Sequence, residues 1–234
     1  MTGTGIFILL ALGILLGKVS DEEEVAAFHS LDSLGDYPAS ENQFASDEEK
    51  DTVLHGIYYK FRDVLSNKHV LFVGIAEGAQ VVADIRRAAE WSLAMSGRKF
   101  FRIFIVPAVE FKEPEDGAAD DSLVAVQCAG QVGYLPVGNV HALSPAELEM
   151  LGCDVKELSK RYDLLIICRD QPLRVRELFF QQMVEFCDGS FLYFGAGRTS
   201  RRLLRFTAAL ARSSKRTVAV VLTGVKRFVP NGAR

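Results

Sequence analysis

The stretch Lys68-His-Val-Leu-Phe-Val-Gly-Ile-Ala-Glu-Gly-Ala-Gln-Val-Val82, with the helical run from Ala83 to Met95 behind it, decides the fold. An apolar burst (Val70 to Val73), a glycine-containing loop (Gly74 to Gly78) and a helix form the frame of a phosphate-cradling loop. In that frame the loop amides and the helix N-terminus point at the anion. Such a loop works with a Lys that neutralises the outer phosphates and a Ser or Thr hydroxyl on magnesium. After Glu77 and Gly78 those positions hold Ala79 and Gln80. The frame is present, but the charge and the hydroxyl are missing.

Outward from this stretch, apolar runs alternate with helical patterns. Strands are predicted at Phe100–Val106 (stopped by Pro107), Leu123–Cys128, Val132–Pro136, Tyr162–Cys168, Gly189–Phe194 and Thr217–Leu222. The unbroken run of residues 162–168 predicts burial on both faces. Helices are predicted over Asp51–Leu65, with Val53, Ile57, Phe61 and Leu65 on one face, after the Ser144-Pro-Ala-Glu147 capping box, over Leu173–Phe186, and over Ser200–Arg212. Alternation of this kind gives an α/β domain with a mainly parallel sheet flanked by helices. Ahead of it, Ser20 caps a short acidic helix through His29, Leu34-Gly-Asp-Tyr-Pro38 reads as a turn, and Ala39–Glu48 as a linker. Glu110–Ser122 reads as a long acidic loop.

The chain has 234 residues, 49% hydrophobic, enough for one large core, and its formal charge of -3 gives no reason to expect nucleic acid. Charge is unevenly placed: Glu41–Asp51 and Glu110–Asp121 are acidic, Arg198–Arg216 and Lys226–Arg234 basic. Solvated faces account for most such runs; contact with anionic lipid or a partner is the sharper reading. Cys128, Cys153, Cys168 and Cys187 lack metal-ligand spacing and read as reduced, mostly buried thiols, and His69 and His141 lack it too. Residues Thr2–Val19 form an apolar block whose one charge is Lys18. A secretory signal lacks its basic start and cleavage site, and a buried helix lacks a polar face. A short membrane helix fits best, near the lower limit of about 17 residues, with Lys18 placing the rest of the chain in the cytoplasm.

Taken together, the order of pieces resembles the bacterial tyrosine kinases (BY-kinases) of capsule and exopolysaccharide synthesis, which are fused or paired to polysaccharide co-polymerases, the chain-length determinants. Residues Ile6–Val19, Asp21–Phe28 and LDSLGDYP (31–38) are similar to the passage from a co-polymerase's last membrane helix into the kinase domain. The family's E-x-x-R-x-x-R oligomerisation motif falls on Gly56, Tyr59 and Arg62, keeping only the last Arg. Its S-x-x-x-G-E-G-K-[ST] loop falls on Gly74–Gln80. Its LLIDaDlR motif is similar in position to residues 103–109, so the magnesium-directed carboxylates fall on Val106 and Ala108. Its yDyIIIDtPP motif resembles residues 162–172, with Cys168 at the carboxylate and Asp170 two residues on. GSFLYFGAGRT (189–199) and VAVVLTGV (218–225) resemble two later segments, and the C-terminal tyrosine cluster is absent.

The resemblance implies a P-loop NTPase-like fold at residues 51–234, a membrane helix at 1–19 and a juxtamembrane helix and linker at 20–50. Because phosphoryl transfer rests on positioned charge, where one arginine finger is worth about 10³ to 10⁵ in rate, the coincident losses at Ala79, Gln80, Val106, Ala108 and Cys168 imply a pseudokinase. The expected role is an inner-membrane scaffold, its main domain facing the cytoplasm. It would act through a co-polymerase or an active BY-kinase, with homo-oligomers admitted and neither cofactor nor metal expected. The alternative is a residual ATP-binding switch or tyrosine kinase, using ATP with magnesium at a rearranged site. For that reading the best surviving anion seat is Gly195, Gly197, Arg198, Thr199 and Arg202, with Thr199 as helix cap.

Overall fold

In the computed structural model, which describes residues 17–38, 44, 46–65, 67–76, 97–111, 122–129, 132–169 and 171–225, eight strands form one sheet. The elements in chain order are α1 (Glu22–Ala26), β1 (Asp32–Pro38), α2 (Asp47–Leu65), β2 (Val70–Ile75), β3 (Phe100–Pro107), β4 (Gln127–Ala129), β5 (Val132–Val137), α3 (Pro145–Leu158), β6 (Leu164–Cys168), α4 (Leu178–Phe186), β7 (Gly189–Gly195), α5 (Arg201–Ser214) and β8 (Thr217–Val225). The strand order is β1-β8-β7-β2-β6-β3-β5-β4, parallel throughout except for the antiparallel β4–β5 edge. Every residue of β7 is buried, as its continuous apolar run requires of a strand covered on both faces.

Two apolar layers sandwich this sheet. On one face Ile57 and Phe61 of α2 pack with Leu71, Ile166, Phe191, Tyr193 and Val221. On the other, α3, α4 and α5 bring Leu151, Phe180 and Leu204 onto Phe72, Ile103, Leu192 and Val220. Helix α3 starts where the sequence says: the Ser144 hydroxyl accepts from the Glu147 amide, and the Glu147 carboxylate takes the Ser144 amide in return. Carboxylates also pin strand entries. Asp188 accepts from the His69 and Val70 amides, Asp163 from the Lys99 amide, and the buried Asp154 from the amides of Val124, Ala125 and Val126.

The N-terminal boundary departs from expectation. LDSLGDYP is not a turn: it contains β1, which runs parallel to β8 as an edge strand, and Leu31, Leu34 and Tyr37 are buried. Val19 and Val25 are also in the core, so α1 and β1 pack into the α/β body, and α2 begins at Asp47 rather than Asp51. The acidic helix is one short turn, capped by Asp21 rather than Ser20. The expected helix over 173–186 is helical only from Leu178. Of the four free cysteines only Cys187 is buried; Cys153 is exposed, correcting the expectation of mostly buried thiols. Among the described residues no helix is long and apolar enough to cross a membrane, and Thr2–Leu16, most of the expected membrane helix, lies outside them.

Candidate functional site

Open parallel sheets place their sites beyond the carboxyl ends of the strands, where successive connections leave in opposite directions. Here that point lies between the adjacent strands β2 and β6: the chain leaves β2 for β3 on one side and leaves β6 for β7 on the other. The end of β2 is held from both sides. The Ala76 amide donates to the Tyr193 carbonyl at 2.8 Å, and the Leu173 amide donates to the Ile75 carbonyl at 2.7 Å. Glu77, Gly78, Ala79 and Gln80 lie outside the described residues. Gly74, expected to open the loop, is instead buried inside β2. A Cβ there would meet Leu173 Cδ1 at 2.6 Å, Phe72 Cε1 at 2.9 Å and Leu192 Cδ2 at 3.0 Å, so its glycine answers to packing.

The structure does bring the aligned acidic positions to one corner. Cys168 ends β6 between Val73 of β2 and Phe104 of β3, and Val106 stands two residues beyond Phe104. Ala108 follows, exposed, with its amide donating to the Val137 carbonyl at 2.9 Å. These side chains offer two hydrocarbons and a thiol. Magnesium takes oxygen ligands, chiefly carboxylates, water and phosphate, so the described strand ends do not fit it. Among the described residues, no three His, Cys, Asp or Glu converge where a metal could sit.

What stands at the β6 end is a knot that sequence reasoning missed. Arg169 is 2% exposed, and its five N–H groups are all engaged. Two meet the Glu177 carboxylate at 2.7 and 2.9 Å; the others reach the carbonyls of Val140 (2.6 Å), Pro172 (3.1 Å) and Gln171 (3.2 Å). The guanidinium also lies 4.6 Å from the Phe179 ring centroid. Glu177 takes the Arg174 amide at 3.0 Å and His141 Nδ1 at 2.7 Å as well. Burial pushes the Glu177 carboxyl upward, but Arg169, His141 and the Arg174 amide outweigh it and hold the group below its ordinary value. Both ends of this pair are saturated, and neither can turn to a phosphate without breaking the knot. Asp170 lies outside the described residues. A buried Arg is rare unless paired, but its partner eight residues on, across a non-helical segment, left no periodic signal.

At the β7–α5 turn the anion seat is already filled by the chain itself. Gly197 adopts the left-handed region (φ 66°) and its amide donates to the Val19 carbonyl at 2.6 Å, while the Arg201 amide donates to the Gly17 carbonyl at 2.8 Å. The Thr199 amide donates to the Gly195 carbonyl at 2.8 Å, and the Thr199 hydroxyl accepts from the Gly195 amide at 2.8 Å. Ser200, not Thr199, caps α5 through the Leu203 amide. Arg201 pairs with Glu24, holding that carboxyl below its ordinary value against the effect of burial. Arg198 and Arg202 are both exposed. On α2, Gly56 is exposed and Arg62 lies 5.1 Å from the centroid of the exposed Tyr59 ring.

No protein-family model matches the sequence, and neither does any curated protein. Solved structures do. The kinase domain of Escherichia coli tyrosine kinase ETK superposes with a TM-score of 0.59 at 14% identity, over 90% of this chain and 97% of that one. The chimerical protein CapA2B2 gives 0.55 at 16%, over 88% and 100%, and the BceF tyrosine kinase domain 0.53 at 14%, over 89% and 100%. At such identities the likeness is one of fold, and the chain has the P-loop fold of the bacterial tyrosine-kinase domains.

Proposed function

We propose that the chain is a catalytically silent, kinase-like scaffold or regulator of exopolysaccharide or capsule synthesis and export. It works at the inner membrane, with its α/β body facing the cytoplasm, by docking on a polysaccharide co-polymerase or an active tyrosine kinase. The observation that carries the reading is the closed Arg169–Glu177 knot at the β6 end, beside Cys168, Val106 and Ala108 where the resemblance would put carboxylates. Ala79 and Gln80, in the loop that the resemblance aligns with the phosphate loop, support it from sequence. The shared fold with the ETK and BceF kinase domains supports a role in the same setting.

The test pairs a magnesium-dependent ATPase assay with thermal melting in the presence of ATP. A ligand at about 100 times its Kd stabilises the folded state by about 2.7 kcal/mol, which melting resolves easily. The expected result is neither turnover nor a shift. Hydrolysis that disappears in Asp170→Asn overturns the reading.

A further inference from the structure

From Gly189 to Arg234 the sequence holds ten Lys and Arg and no Asp or Glu; the other 17 of its 27 basic side chains share residues 1–188 with all 30 acidic ones. Helix α5 displays part of this excess along one line. Arg202, Arg205 and Arg212 are exposed, and at about 100° per residue they fall with Ala209 and Ser213 inside a stripe about 100° wide. Arg198 is exposed in the turn just before. Nearby cations do find acids: Arg201 pairs with Glu24, and Arg216 lies 3.8 Å from Asp188. Arg198, Arg202, Arg205 and Arg212 pair with no side chain among the described residues. Like charges three apart on a helix repel, and cations in a first turn oppose the helix dipole. The stripe therefore works against the isolated fold and gains from an anionic surface.

Chain continuity identifies that surface. The Gly17 carbonyl is hydrogen bonded to the Arg201 amide, and the exposed Lys18 bridges to Ser200. The uncharged sequence Thr2–Leu16 therefore joins the body at the end of α5 where the stripe begins. We propose that the arginine face of α5, extended by Lys18 and Arg198, lies on anionic phospholipid headgroups beside the point where the apolar segment leaves the body. Duplex nucleic acid fits less well. The stripe is one row with Ala209 between its arginines and Ser213 at its edge, and the strongly acidic remainder of the chain repels a second polyanion. The inference rests on the membrane-proximal part of the function proposed above and not on catalytic silence.

The test uses the full chain and sedimentation with vesicles of phosphatidylcholine alone or mixed with phosphatidylglycerol. The wild type is expected to prefer the anionic vesicles and to lose that preference as salt is raised. A cation near such a surface is worth about fivefold in partition, so Arg202→Gln/Arg205→Gln/Arg212→Gln should lower the preference on the order of a hundredfold. Its circular dichroism and melting should match the wild type. Lys60→Gln/Lys156→Gln/Lys160→Gln removes the same charge from sites elsewhere on the body and should retain the preference. Equal losses in both variants, an unchanged preference in the arginine variant, or release by duplex DNA overturn the proposal. Failure to sediment with either vesicle overturns the membrane reading beneath it as well, whereas equal binding to both overturns the arginine face alone.

Discussion

Arg169 and Glu177 close a two-point ion pair at 2.7 and 2.9 Å, with both side chains almost fully withdrawn from water. The pair ties the end of β6 to the N-terminus of α4, and through Val140 and His141 to the segment after β5. It is the rigid centre of the strand ends that border the candidate site.

Removing one partner leaves the other charge buried and alone. Glu177→Leu should cost about 3–5 kcal/mol, whereas Arg169→Met/Glu177→Leu together should recover much of that loss, because desolvating the intact pair offsets most of its attraction. Urea unfolding followed by circular dichroism measures both.

Acid should have the same target. The Glu177 carboxyl titrates below its ordinary 4.5 in the folded chain, so its contribution is complete above that value and is lost as pH falls through the folded value. The wild type should lose stability steeply below about pH 4.5. Arg169→Met/Glu177→Leu should lose less over the same window, as urea midpoints taken across the acid range would show.

Two glycines should respond for different reasons. Gly74→Ala pushes a methyl into Leu173, Phe72 and Leu192 and should cost about 1–3 kcal/mol by overpacking. Gly197→Ala meets no atom within 4 Å, so its cost of about 1–2 kcal/mol comes from the left-handed backbone alone. Gly197→Asn should recover part of that cost and Gly74→Asn should not, a contrast that melting curves distinguish.

The cysteines should separate by reactivity. Cys153 is exposed and should label quickly with a thiol reagent. Cys187 is fully buried, and burial, reinforced by Asp188, pushes its thiol far up, so it should label only on unfolding. Mass spectrometry of peptides after timed alkylation reads both.

The strands that alternate around the core were legible because β6, β7 and β8 are continuous apolar runs, which a doubly covered parallel sheet demands. The capping box at Ser144 was legible because both of its partners are local. Strand β1 was not. Its Asp32, Gly35, Asp36 and Pro38 carry turn chemistry, and only pairing with β8, far along the chain, makes it extended. Residues 173–177 read as helix by composition, but Leu173 bridges to Ala76 and Glu177 is drawn to Arg169, so the helix begins later. At the β7–α5 turn the glycines were visible, but not that Val19 would take the Gly197 amide and Gly17 the Arg201 amide, since backbone carbonyls leave no mark in a sequence.

That last contact sets how tension would travel. A pull on the chain ahead of Gly17 would load three backbone hydrogen bonds together, Val19 to Thr199, Gly197 to Val19 and Arg201 to Gly17. The turn they grip is the end of β7, the strand whose Tyr193 carbonyl steadies Ala76. A load taken by that turn is therefore shared with β7, the strand that also holds the end of β2 through the Tyr193 carbonyl and the Ala76 amide.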